Sequence, residues 1–124
     1  MAYDDYLAER VERYFTQKRV NFFSKKMMGG LVFMVEEKMC VGVTRDKKSG
    51  DDQLMARIGV EYYEKALKND QTRAMDFTGT PMKGYVFIGP DGIDLDEDLE
   101  FWLDKALAFN PLAKKSPSKR KKKK

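Results

Sequence analysis

Residues 30–44 read GLVFMVEEKMCVGVT, and this stretch decides the fold. Two apolar runs, residues 31–35 and 39–44, are separated by the polar sequence EEK. Valine and phenylalanine are frequent in these runs, and both residues favour strands by shape as well as by polarity. Short apolar runs on either side of a polar turn are typical of a β-hairpin. The stretch therefore predicts two neighbouring antiparallel strands.

Helical periodicity precedes this hairpin and returns after it. Apolar residues three or four positions apart predict an amphipathic helix over about residues 3–18. Its stripe consists of Tyr3, Leu7, Val11, Tyr14 and Phe15. A shorter stripe predicts a second helix that ends near Asn69 and presents Val60, Tyr63 and Leu67.

The third predicted helix has the clearest start and end. Asp94 has the character of an N-cap, and Glu97 follows three residues later, as in a capping box. The sequence Asn110-Pro111 ends the helix. Its predicted apolar face consists of Leu95, Leu99, Trp102, Leu103 and Ala106.

Three further runs complete the predicted sheet, at residues 54–58, 74–77 and 83–88. The sequence TGTP at residues 78–81 predicts the turn between the last two strands. Short links between successive strands favour antiparallel pairing. We therefore predict an α+β fold with three helices on a mainly antiparallel five-stranded sheet, in the order α-β-β-β-α-β-β-α.

A chain of 124 residues suits one folded domain. Hydrophobic residues make up 42% and charged residues 35%, which is typical of a globular protein with a highly charged surface. No stretch approaches the roughly 18 apolar residues of a membrane helix, and the acidic start MAYDD does not resemble a secretory signal. We expect a cytoplasmic protein, and the single cysteine, Cys40, fits a reducing compartment.

Charge divides the chain into a body, residues 1–113, and a tail, residues 114–124. The tail carries eight of the 24 basic residues and the body all 20 acidic ones, so their net charges are +8 and −4. The tail has no aliphatic or aromatic residue, and we predict that it is disordered. Its cations could bind the phosphates of DNA or RNA without sequence preference, or could act only to keep the chain soluble. They are Lys114, Lys115, Lys119, Arg120, Lys121, Lys122, Lys123 and Lys124.

The residues that could support chemistry are few. The chain has no histidine, which excludes Ser-His-Asp and Cys-His mechanisms and histidine-ligated zinc. Cys40 stands in a predicted strand, where we interpret it as a buried structural thiol. The acidic residues between Asp91 and Glu100 lack the spacing of an EF-hand and suit the first turn of a helix. We predict no catalytic residue, no cofactor and no metal site.

The alternative is a small-ligand-binding protein or an enzyme that uses Lys83 and nearby carboxylates. The sequence GTPMKG at residues 79–84 has the glycines of a phosphate-binding loop around this lysine. A Walker motif needs Gly-Lys-Ser/Thr before a helix, whereas GYVF with strand periodicity follows here. A tight turn between two strands is therefore the favoured interpretation.

Four motifs in order resemble the TfoX N-terminal domain family: KKMMGGLVF at 25–33, DQLMARIG at 52–59, MDFTGTPMKGYV at 75–86 and LEFWLDKAL at 99–107. The resemblance implies a fold similar to secretion-chaperone-like domains. It also implies regulation, because TfoX/Sxy proteins are bacterial regulators of natural competence that act with the cAMP receptor protein. That role belongs to longer chains with a second domain. For a stand-alone N-terminal domain we expect a non-enzymatic regulatory or interaction module, with a protein partner from the transcription machinery or its regulators.

Overall fold

The computed structural model describes residues 4–27, 30–46, 49–74 and 83–113. Within these ranges the chain forms three α-helices and six β-strands, with 3₁₀ turns at Pro90–Gly92 and Asn110–Leu112. The helices are α1 (Asp5–Gln17), α2 (Val60–Leu67) and α3 (Asp96–Phe109). The strands are β1 (Phe22–Met27), β2 (Gly30–Val35), β3 (Lys38–Arg45), β4 (Asp52–Arg57), β5 (Thr72–Ala74) and β6 (Tyr85–Ile88).

The strands form one sheet in the spatial order β1-β2-β3-β4-β6-β5, and every neighbouring pair is antiparallel. The predicted α+β class and antiparallel sheet are therefore confirmed. The hairpin is confirmed as well, since β2 and β3 are joined by two residues, Glu36 and Glu37. The predicted end of α3 at Asn110-Pro111 is confirmed, since the helix ends at Phe109 and a 3₁₀ turn follows directly.

The predicted count of five strands is wrong, because β1 adds a sixth strand between α1 and β2. It pairs with β2 from Phe22 beside Val35 to Met27 beside Gly30. This strand lies at the edge of the sheet, and residues 23–26, with the sequence FSKK, are exposed. Edge strands commonly carry lysine, which discourages pairing with other chains and obscures the alternation of a strand. The predicted turn at 78–81 and residues 75–77 of the predicted fifth strand lie outside the described residues.

The main core lies between one face of the sheet and the helices. On α1 the predicted stripe is buried at Leu7, Val11 and Phe15. The Phe15 ring meets the rings of Phe22 and Phe33 edge-on, with centroids 5.5 and 6.1 Å apart. Such aromatic pairs contribute about 0.5–1.5 kcal/mol beyond the burial of their surface. α3 completes this core with Leu99, Trp102, Leu103 and Ala106.

The predicted start of α3 is wrong by one residue, because the N-cap position is Leu95 and not Asp94. The helix begins at Asp96 with Leu95 at the N-cap position, and no side chain caps it. Leu95 is 57% exposed and does not belong to the apolar face of the helix. The reason lies in α1, where Arg10 donates hydrogen bonds to the Asp94 carbonyl oxygen at 3.2 Å and to the Asp96 carboxylate at 3.1 Å. The start of α3 is therefore held by a long-range contact from Arg10, and not by the local capping box that the sequence predicted.

A second polar contact joins the same two helices. The Tyr14 hydroxyl donates a hydrogen bond of 2.7 Å to the Asp104 carboxylate. Burial, and then this hydrogen bond, raise the pKa of the Tyr14 hydroxyl above its usual value. Tyr14 therefore stays protonated at physiological pH and remains a donor to α3.

Candidate functional site

A second apolar cluster lies on the sheet face opposite the main core. Along β4, Leu54 belongs to the main core whereas its neighbour Met55 does not, because successive strand residues point to opposite faces. Met55 packs with Phe87 of β6, and Met39 and Tyr85 are packed against this pair. The described members of this cluster all come from strands. This second face therefore presents methionine and aromatic side chains.

A polar network adjoins the second apolar cluster. The Gln53 amide donates a hydrogen bond of 3.0 Å to the Thr44 hydroxyl and accepts one from Arg73. The Arg73 guanidinium also lies 5.4 Å from the centre of the Phe87 ring and 3.9 Å from the Asp46 carboxylate. Gln53 and Thr44 are buried, and hydrogen bonding offsets the cost of burying their polar groups. These contacts favour a structural role for the network.

Cys40 lies in β3, and only 1% of its surface is exposed. Burial raises the pKa of its thiol to about 12, although the nearby charge of Arg57 acts in the opposite direction. The Arg57 guanidinium itself lies 5.3 Å from the centre of the Tyr85 ring and 5.9 Å from that of Phe109. A thiol with this pKa is almost entirely protonated at neutral pH and is a poor nucleophile.

The native protein is therefore expected to resist thiol modification. At about pH 8 a thiol with the raised pKa has roughly three orders of magnitude less thiolate than one with an ordinary pKa. A chromogenic disulfide reagent should consequently find no reactive thiol in the folded chain and one thiol after denaturation. Rapid stoichiometric reaction of the native chain would show that Cys40 is accessible and reactive.

A cleft of about 430 Å³ opens at one end of the sheet. β1 and the segment before it provide one side, and the turn between β2 and β3 provides the other. We call this feature the turn cleft. Its lining combines an exposed aromatic ring with charged and amide groups, namely Phe23, Glu36, Glu37, Lys38 and Asn21.

The turn beside the cleft has an unusual backbone for its sequence. Glu36 and Glu37 both have positive φ, at 55° and 65°, as in a type I′ hairpin turn. Asn-Gly or Gly-Gly is the usual sequence there, because a residue with a side chain is strained at positive φ. The flanking register, Val35 beside Lys38, fixes the turn at two residues. The hairpin therefore holds two adjacent carboxylates in a strained turn at the cleft.

The end of α3 is attached to the same turn. Asn110 is buried, and its side-chain amide donates a hydrogen bond of 3.2 Å to the carbonyl oxygen of Val35, the residue before Glu36. Asn110 lies 75 residues from Val35 in sequence. This contact attaches the end of α3 to the residue that precedes the turn.

The structure gives a mixed answer for the residues singled out from the sequence. The tail lies outside the described residues. Lys83, which precedes β6 in the sequence, is exposed. Of the acidic residues around the start of α3, Asp96 binds Arg10. Within the described ranges no three His, Cys, Asp or Glu residues are grouped so that they could hold a metal ion. Nor does any helix there have the length and apolar character required to cross a membrane.

Sequence reasoning missed the turn cleft. It recognised the hairpin turn, but it did not assign β1 and so could not place Phe23 beside Glu36. The strand signal of β1 was present in the adjacent aromatic residues Phe22 and Phe23, and the lysines that follow obscured it. No local signal indicates the contact between Asn110 and Val35.

Three of the four motifs that suggested a family resemblance have places in the fold, whereas most of MDFTGTPMKGYV at 75–86 lies outside the described residues. KKMMGGLVF runs from β1 into β2, DQLMARIG contains β4, and LEFWLDKAL lies within α3. No curated protein matches this chain. The TfoX N-terminal domain matches residues 14–110, which span the fold from the last turn of α1 to the end of α3. The chain therefore belongs to the TfoX N-terminal domain family.

Proposed function

We propose that this chain is a non-enzymatic regulatory or protein-interaction module. The observation that carries the proposal is the family match over residues 14–110, which supports such a role in coarse terms. We propose a partner from the transcription machinery or its regulators, in line with the family resemblance. The second face and the turn cleft are surfaces on which such a partner could be tested by substitution.

We further propose that the tail contacts nucleic acid without sequence preference. Its eight cations stand within 11 residues, and such a segment gains affinity for phosphates by releasing counterions. The tail has no aromatic residue, so it cannot recognise bases by stacking. The body, at −4, repels the same phosphates.

The full chain is expected to bind unrelated DNA duplexes weakly at low salt. If about five tail cations meet phosphates, the logarithm of the association constant should fall against the logarithm of salt with a slope of about −4.5. Fluorescence anisotropy titrations with two unrelated labelled duplexes, each at several salt concentrations, would measure both the slope and the sequence preference.

The matched control is a chain that ends at Ala113, with its melting curve recorded to establish that it is folded. We expect no binding from this shorter chain, because only the tail supplies the dense positive charge. Tight binding by the folded shorter chain would refute the proposal and place the nucleic-acid surface on the body. A salt slope near zero for the full chain would also contradict it.

A further inference from the structure

We propose that the outer edge of β1 binds an acidic, extended segment of a protein partner, which adds a strand to the sheet. The inference deepens the proposed role in protein interaction and rests on that role. The occupant to which we commit is a partner strand that runs antiparallel to β1 and carries its carboxylates opposite Lys25 and Lys26.

The edge position of β1 is the first support for this site. β1 pairs with β2 along its whole length, and no described strand lies on its other side. Along an edge strand, alternate residues turn their N–H and C=O groups away from the sheet and offer them to a further strand. Residues 23–26 are exposed, so a strand can approach this side of β1. β5, at the opposite edge, comprises three residues against six in β1 and offers less backbone for pairing.

Charge is the second support, because the segment around β1 is basic in an acidic body. Residues 18–26, KRVNFFSKK, contain four cations and no carboxylate, whereas the body has a net charge of −4. All four cations are exposed, namely Lys18, Arg19, Lys25 and Lys26. Among the described residues, neither Lys25 nor Lys26 has a carboxylate as a partner. An acidic segment that lies along β1 would therefore supply the counter-charges that these two lysines lack.

The order of residues in β1 predicts the sequence of its partner. Lys26 pairs with Leu31, which packs against the main core, so Lys26 lies on the core side of the sheet and Lys25 on the second face. A partner strand needs two adjacent acidic residues to meet both lysines. Threonine or serine opposite Ser24 and a β-branched residue opposite Phe23 complete the cross-strand pairs that stabilise antiparallel strands. The expected motif is therefore two acidic residues, then threonine or serine, then a β-branched residue.

The hairpin turn agrees with this orientation of the partner. Phe22, at the start of β1, pairs with Val35, which directly precedes Glu36 of the turn. The Glu36 carboxylate therefore acts against acidic partner residues at this end of β1. An apolar partner residue at the same end can instead cover the Phe23 ring, which is 49% exposed. The acidic residues of the partner consequently belong at the other end of β1, beside the two lysines.

Two other occupants suit this edge less well. A second copy of β1 would bring a second set of the same cations to the edge, so charge acts against self-pairing. Nucleic acid would meet the cations through its phosphates, but phosphate oxygens only accept hydrogen bonds and cannot pair with the outward C=O groups of β1. A polypeptide strand provides both donors and acceptors. The lysines that discourage pairing with other chains therefore favour an acidic strand.

Titration of the full chain with a synthetic peptide tests the site by NMR. The probe is a capped peptide of two glutamates, a threonine and two valines, in that order. We expect weak binding that shifts the amide signals of β1 and slows the hydrogen exchange of its outward amides, because the added strand covers them. Signals that move only in the tail, or only at β5, would overturn the inference.

Two control peptides separate strand addition from charge attraction. The reversed sequence has the same charge, and so the same attraction to the tail, but in antiparallel pairing it places its glutamates opposite Phe22 and Phe23. It should shift the β1 signals less. A probe with methylated backbone nitrogens cannot donate hydrogen bonds to the β1 carbonyl groups and should give no protection of β1 amides. Equal effects of all three peptides on β1 would show charge attraction without strand addition, which would refute the proposal.

Two charge-matched variants of the chain test the lysines. Lys25→Gln with Lys26→Gln removes two cations from the edge and should weaken binding of the probe peptide by about three- to tenfold, because two opposite-charge pairs are lost. Lys65→Gln with Lys68→Gln removes two exposed cations at the end of α2 and should change the affinity by less than about twofold. Equal weakening in both variants would contradict a specific site at β1.

The same spectra distinguish failure of this inference from failure of the proposed function. Peptide-induced shifts on the second face or at the turn cleft, without shifts in β1, would refute the edge as the site and leave the interaction role standing. Shifts of the β1 signals with rising protein concentration alone would assign the edge to a second copy and overturn the acidic partner. Binding of the peptide at β1 supports the edge even if the partner proves not to belong to the transcription machinery.

Discussion

Replacing Trp102 by alanine is expected to lower the free energy of unfolding by about 3–5 kcal/mol. The indole is 3% exposed and packs in the main core with the apolar face of α3. Truncation to alanine removes most of this buried surface and leaves a cavity that the surrounding core can fill only in part. A domain of this size has a total stability of about 5–15 kcal/mol, so the loss would unfold a substantial fraction of the protein at physiological temperature.

Phe101→Ala provides the matched control for this substitution. Phe101 precedes Trp102 on the same helix, and its ring meets the indole edge-on with centroids 5.1 Å apart. Because Phe101 is 44% exposed, we expect its removal to cost about 1 kcal/mol. Urea unfolding followed by far-UV circular dichroism measures both variants without relying on tryptophan fluorescence. Equal stabilities of the two variants would contradict the central position of Trp102 in the core.

Much of the fold could be predicted because its elements carry their own patterns. The β2–β3 hairpin has two apolar runs around a polar turn, and α1 has an apolar stripe on one side. Each of these patterns can be recognised from the sequence of one element alone, because the buried residues recur at the spacing of that element. The pattern of Trp102 and Leu99 at helical spacing predicted their burial for the same reason, and both are buried.

The errors occur where contacts between distant residues decide the structure. β1 pairs along its length with β2, but its exposed position removes the apolar alternation by which strands are recognised. At the start of α3 the Asp94 and Glu97 pattern predicted a local capping box. Arg10, 84 residues from Asp94, binds its carbonyl oxygen instead, and the helix begins later.

The candidate site was predictable only in part. The cationic tail is evident from composition alone, because a run of basic residues can be recognised without knowing the fold. The turn cleft lies between two elements, β1 with the segment before it and the turn between β2 and β3. Glu36 and Glu37 were visible in the sequence as turn residues, but the attachment of the end of α3 beside this turn follows only from the contact between Asn110 and Val35.

Gly59, between β4 and α2, is expected to tolerate alanine poorly. Gly59→Ala should lower the free energy of unfolding by about 3 kcal/mol. Gly59 has φ of 91° and ψ of 156°, a region that residues with a side chain rarely adopt. A Cβ atom at this position would also stand 2.5 Å from the Phe109 ring. Strain in the backbone and overpacking against the ring therefore act together, and each typically costs about 1–3 kcal/mol.

Two comparisons separate the contributions to this cost. Gly50→Ala has the backbone strain alone, because φ is 77° but no atom of the described residues lies within 4 Å of the added Cβ, and we expect a loss of about 1–2 kcal/mol. Combining Gly59→Ala with Phe109→Ala relieves the clash, so the double variant should be more stable than the sum of the two single losses predicts. Denaturant unfolding of the unsubstituted chain and of these four variants measures both effects. Strict additivity, or equal losses at Gly59 and Gly50, would show that the Phe109 ring moves aside without cost and that backbone conformation alone requires glycine between β4 and α2.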